Sequence, residues 1–128
     1  MAYLKPPWFT RVIFNRLAMT TGIGGSETLT VTRRVSKEPQ QIPVVVPEVD
    51  GVKYLVSTRG ETEWVKNVRA IPDVLVGDQK YVATEIPVDR RAPILAVYKP
   101  KAGKVVDGYW RQLPDDADHP VFALTPKA

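Results

Sequence analysis

Three cations and a hydroxyl fall within five residues at the end of a β-rich run, in Thr32-Arg33-Arg34-Val35-Ser36-Lys37. Arginine presents a planar fork to phosphate, lysine adds a mobile point charge, and backbone N–H groups at a strand end can complete an anion cradle. A solvated hairpin tip has the same composition, because charge at turns is common. Further along, Thr58-Arg59-Gly60 stands where a strand pattern hands over to a helical one. Free N–H groups and the dipole of a helix start would make a second anion site there, with about 0.3–1 kcal/mol from the dipole. Gly60 permits close backbone approach. Trp64 and Asn67, three residues apart on one helix face, offer an aromatic wall and a bidentate amide to a planar heterocycle. A core tryptophan beside a surface asparagine fits that spacing equally.

Residue counts exclude much other chemistry. The 128-residue chain has no cysteine and one histidine, His119. A disulfide framework, a thiolate zinc or iron–sulfur centre, a cysteine nucleophile and a histidine-rich metal site are therefore unavailable, and no metal site is expected. Between Asp118 and Pro120, His119 reads as a structural hydrogen-bonding residue at the approach to the last strand. The 18 Lys+Arg against 14 Asp+Glu give a net charge of +4, which suits either an anionic partner or mere solubility.

Those residues need a scaffold, and one domain over 1–128 is expected from the length. Pro6-Pro7 followed by Trp8, Phe9, Val12, Ile13, Leu17 and Met19 predicts an amphipathic helix within residues 1–24, ended by Gly22 to Gly25. It reads as a roof over the core, with peripheral membrane contact as the alternative. Strands are predicted over 28–35, 41–46, 52–57, 73–76, 80–86 and 121–124, with Asp50-Gly51 and Gly77-Asp78 as turns. The Asp50-Gly51 turn predicts that the segments around Val44 and Tyr54 pair. Thr58 and Glu61 have capping-box spacing, which predicts a helix from there to the stop at Pro72. Further helical segments are expected over 89–98 and 104–113. About six mainly antiparallel strands with flanking helices make an α+β protein built on a small barrel. No apolar run is long enough to span a membrane and no secretory signal pattern opens the chain, so a cytoplasmic location is expected. Nucleic acid is not an expected partner, because acids interrupt the basic residues and Tyr54 and Tyr81 lack neighbouring platform aromatics.

From Thr28 onward the chain resembles the deazaflavin-dependent nitroreductase and quinone reductase family, whose members are split β-barrels that use coenzyme F-420. The first match is Arg33-Arg34-Val35-Ser36-Lys37, then Glu38-Pro39-Gln40 and Pro43-Val44. Here Val35 replaces the family's lysine, Arg33 and Lys37 its flanking glycines, and Gln40 a later arginine. The second is Arg59-Gly60 with Trp64-Val65-Lys66-Asn67-Val68-Arg69-Ala70, and the tail Leu113 to Phe122 is also similar. The resemblance implies that Arg34 and Ser36, with Arg33 and Lys37 as added cations, contact the phosphorylated tail of the cofactor. Pro43, Thr58, Arg59, Gly60, Trp64 and Asn67 would line its groove. It implies hydride transfer from reduced F-420 to a small electron-poor acceptor, a quinone, a conjugated enone or lactone, or a nitroaromatic. Tyr109 is the candidate to face that acceptor as hydrogen-bond donor. FMN on the same barrel type, a member without cofactor and a homodimer are open readings.

Overall fold

The computed structural model describes residues 26–127. The predicted amino-terminal helix over 1–24, with Trp8 and its membrane-contact alternative, lies outside them.

Alternation sets the strands. In β1 (Ser26–Thr32), Leu29 and Val31 are fully buried while Thr28, Thr30 and Thr32 take the opposite face half-buried, as a period of two requires. β2 is Pro39–Val45, β3 Glu48–Val49, β4 Val52–Val56, β5 Asp73–Val76, β6 Gln79–Glu85 and β7 Val121–Pro126. They form one antiparallel sheet in the order β2-β1-β5-β6-β7-β4-β3. Val46, just past β2, shares a buried cluster with Leu55 of β4, near the other end of that order. Only a sheet curled into a half-barrel brings those two together, and the expected α+β split barrel is the fold observed.

Helices cover both sides. Leu55 and Phe122 pack with Trp64, Val65 and Val68 of α1 (Glu63–Ala70). Their neighbours Val56 and Val121 point through the sheet and pack with Ile94, Leu95 and Tyr98 of α2 (Ala92–Ala102). A third helix, α3 (Asp107–Gln112), leads into the carboxyl-terminal strand. Pro39 and Pro43 lie in β2, an edge strand, where a missing N–H costs no ladder bond and withholds a donor from any added strand.

Two expectations about this framework are corrected. Asp50-Gly51 does turn a hairpin, but between β3 and β4, with Glu48 opposite Lys53. Val44 pairs with Glu27 and Tyr54 with Ala123. The loop after β1 closes tightly, Arg33 N–H donating to Glu38 O at 2.9 Å, and commits the whole of β2 to a seven-residue ladder with β1. The two-residue β3 joins the six expected strands to make seven. Secondly, α1 starts at Glu63 behind Thr62, so Thr58 and Glu61 form no capping box. Gly60 at φ 84° turns the chain out of helical conformation, and Ser57 Oγ donates to Gly60 O at 2.6 Å to hold that turn.

Asp50 and Gly51 take φ values of 52° and 81°. Nothing lies within 4 Å of where a Gly51 side chain would begin, so Gly51→Ala tests backbone conformation alone. It should lower unfolding free energy by about 1 kcal/mol, the cost of a left-handed L-residue, read by urea denaturation. A neutral result would mean the turn relaxes freely.

Candidate functional site

The loop Arg33 to Glu38 carries the first group of candidate residues, and the tertiary structure fastens it to α1. Asn67 is buried. Its Oδ1 accepts from the backbone N–H of Arg34 at 3.1 Å and from Arg34 Nη1 at 2.7 Å, and its Nδ2 donates to Gln40 Oε1 at 3.0 Å. One amide thus joins the loop, the edge strand and the helix, and it satisfies buried polar groups that would otherwise be costly. Arg34 Nη2 donates to Glu63 Oε1 at 3.0 Å, and the guanidinium holds the Glu63 carboxyl below the usual carboxylate range.

Within the loop, Arg33 Nη1 donates to Pro39 O at 2.7 Å, Lys37 Nζ donates to Arg34 O at 2.8 Å, and the Ser36 hydroxyl accepts from Glu38 N at 3.2 Å. Lys37 has φ 66°, a left-handed conformation that glycine adopts at least cost. Val35 is 86% exposed at the tip. Among the described residues the backbone N–H groups of Val35 and Ser36 meet no backbone acceptor, so the tip retains donors beside three cations.

The second group lies just before the same helix. The Thr58 hydroxyl is 2.7 Å from the Tyr98 hydroxyl, and burial pushes the Tyr98 phenol up from its ordinary value while the Thr58 contact opposes this. Arg59 is exposed. The space beside Gly60 is taken by the protein itself, since a Cβ there would meet Leu113 Cδ1 at 3.4 Å and Asp118 O at 3.6 Å. Because α1 begins only at Glu63, its dipole does not act directly at Thr58-Arg59-Gly60, contrary to the sequence expectation. Trp64 is buried, its ring tilted against Phe122 at 6.0 Å between centroids. Its face belongs to the core, while Asn67 from the same side of the helix reaches the loop. Pro43 is exposed on the edge strand, and Tyr109 is exposed on α3.

α1 therefore brings Arg34 and Asn67 together, while Trp64 turns into the core and Thr58, Arg59 and Gly60 lie at the approach to the helix. At its other end, Arg69 bridges Glu61 and Glu85. Hydrogen bonds to Glu85 and then Glu61 hold the Arg69 guanidinium above its ordinary value, and the bond to Arg69 lowers Glu61.

Sequence reasoning did not find Arg91. It is buried, pairs with Glu85 at 3.2 Å, and directs its remaining donors at the carbonyls of Ile86, Asp116, Ala117 and His119. Nothing in the local pattern of Arg90-Arg91 marks the second of these as the buried one. His119 is wholly buried, with Nδ1 3.0 Å from Ser57 O and Nε2 2.6 Å from Leu113 O. Its ring stacks on Trp110 at 3.8 Å and 6°, so it clamps the tail and α3 onto the turn that carries Thr58 and Arg59. The described residues contain no cluster of three or more potential metal ligands and no helix long and apolar enough to cross a membrane.

No protein-family model matches the chain, and no curated protein matches it. Solved structures do. The chain is similar to an F-420-H2 dependent reductase, FDR-A, with TM-score 0.59 and 23% identity over 79% of this chain and 94% of that one. A domain-swapped dimer aligns with TM-score 0.60 and 21% identity over 94% of this chain and 99% of that one. The heme storage protein HutZ of Vibrio cholerae aligns with TM-score 0.63 and 12% identity over 89% of each chain. At these identities the likeness establishes the split-barrel fold alone.

Proposed function

We propose that this protein is a reductase that holds a deazaflavin of the coenzyme F-420 type and serves hydride transfer to an electron-poor small molecule, a quinone, a conjugated enone or lactone, or a nitroaromatic. The observation that carries the reading is the Asn67 clasp, which fixes a cationic loop to the helix bearing the second motif. The donor set fits a phosphorylated cofactor. Arg33, Arg34 and Lys37 supply charge, Ser36 and the N–H groups of the tip supply directed donors, and Arg59 stands across the approach to α1.

The cofactor, when bound, supplies the hydride chemistry. The chain's own residues would bind and orient it: the loop takes its anionic tail, while Pro43, Thr58 and Arg59 border its ring system and Gly60, whose own space is filled by Leu113 and Asp118, shapes the turn behind them. Asn67 holds the loop from behind, and Trp64 anchors the same helix in the core. Tyr109 is the proposed hydrogen-bond donor to oxygen that gains charge in the acceptor, and no other described residue takes its hydroxyl. The likeness to a domain-swapped dimer supports a homodimer.

Heme is the other cofactor named among the similar structures, and one observation disfavours it. The chain lacks cysteine, and both nitrogens of its single histidine face carbonyl oxygens in the interior, so neither histidine nor cysteine is at hand as an axial ligand.

Titration of the full chain with F-420, with FMN and heme run beside it, tests the proposal through quenching of Trp8, Trp64 and Trp110. Micromolar or tighter binding of the deazaflavin is expected. No binding up to about 1 mM, a free energy weaker than roughly −4 kcal/mol, would remove the reading; tight FMN binding would transfer it to flavin.

A further inference from the structure

The Arg34 fork, which the proposed cofactor tail needs, is already shared between two partners of this chain. Nη1 is committed to the buried Asn67 amide, and Nη2 to Glu63 Oε1 at 3.0 Å. The first contact anchors the loop and is part-buried; the second is an ion pair with side chains 34% and 47% exposed. Glu63 Oε2 also lies 3.8 Å from Lys66 Nζ, one turn along the same helix. A carboxylate on an exposed first-turn residue can leave Arg34 and remain paired with Lys66.

We propose that Glu63 is a built-in competitor for the anion site, a carboxylate that occupies the Arg34 fork until a phosphate-class group displaces it toward Lys66. This rests on the reading of the loop as an anion site and adds the residue that sets its selectivity. A lone weak anion does not repay displacement of the carboxylate, whereas a phosphoryl group that also meets Arg33, Lys37 and the N–H groups of the tip does. Glu63 would thereby tune which anions the loop accepts without touching the Asn67 anchor.

The test uses the full chain and inorganic pyrophosphate, followed by NMR through the backbone amide of Arg34 and the side-chain amide of Asn67. Glu63→Gln keeps the size of the side chain and removes its charge, and should tighten pyrophosphate binding about fivefold, the scale of an exposed ion pair plus the repulsion it relieves. Glu61→Gln removes the same charge from the Arg69 network and should leave pyrophosphate affinity unchanged. Equal affinity in Glu63→Gln and the original chain, an equal gain in Glu61→Gln, or no pyrophosphate response in any of the three would each overturn the proposal. A gain in Glu63→Gln alone upholds it even if F-420 fails to bind, and F-420 binding without that gain upholds the cofactor reading alone.

Discussion

Replacing His119 with alanine is expected to lower unfolding free energy by about 3 kcal/mol, the combined scale of a large-to-small change in a packed interior and a lost buried hydrogen bond. The ring has no exposure and meets the carbonyls of Ser57 and Leu113. An imidazole donates through at least one of its nitrogens, so in the variant at least one of those carbonyls loses an N–H donor. The stacked face of Trp110 loses its cover as well, and Trp110 emission should shift toward that of a solvated indole. Urea denaturation by far-ultraviolet circular dichroism measures the first effect and steady-state fluorescence the second. A loss under about 0.5 kcal/mol, within the range of an ordinary surface change, would show that the clamp is not structural.

The second large effect is expected at Asn67. Asn67→Leu keeps the branching and the number of side-chain heavy atoms but leaves Gln40 Oε1 and the Arg34 N–H without their partner, at a cost of about 2 kcal/mol for polar groups stranded in a part-buried setting. Asn67→Asp retains the oxygen that Arg34 meets, so it should keep the loop in place better than leucine does. Hydrogen exchange at the Arg34 amide reads this directly: faster exchange in Asn67→Leu, near-original exchange in Asn67→Asp. If the F-420 reading is right, the leucine variant also loses at least about tenfold in affinity, about 1.4 kcal/mol, because a loosened loop must be ordered by the ligand. Unchanged exchange in Asn67→Leu would mean that the loop is held by its own turn and not by α1.

Several parts of this protein follow from local sequence. Thr-Leu-Thr-Val-Thr specifies β1 because alternate side chains of a strand face opposite ways. Asp50-Gly51 and Gly77-Asp78 specify turns because positive φ is cheap for glycine and tolerated by aspartate. Pro72 ends the pattern of α1 for want of an N–H. The motif residues themselves, Arg33 to Lys37 and Arg59 to Asn67, were visible as types and spacings that suit an anion and a planar ring. Each of these is a property of a residue and its near neighbours.

The tertiary structure decided the rest, because side-chain partners across a sheet depend on strand order, which leaves no periodic trace in the chain. Sequence alone offered Asn67 as a ligand contact or a surface residue; its amide instead joins residues 33 and 27 positions away. It offered Trp64 either as a wall for a heterocycle or as a core residue, and the packing against Phe122 decides for the core. Gly60 promised room for a ligand, and Leu113 and Asp118 fill that room. His119 carried only the expectation of a backbone hydrogen bond, and its partner Ser57 lies 62 residues earlier. The pairing of Val44 with Tyr54 failed for the same reason: a good local turn between them did not outweigh the longer ladder that β2 forms with β1. Local patterning therefore determines which segments are strands and where their turns fall, whereas the curled sheet alone determines which polar groups meet, because burial obliges each of them to find a partner from whatever the fold brings within reach.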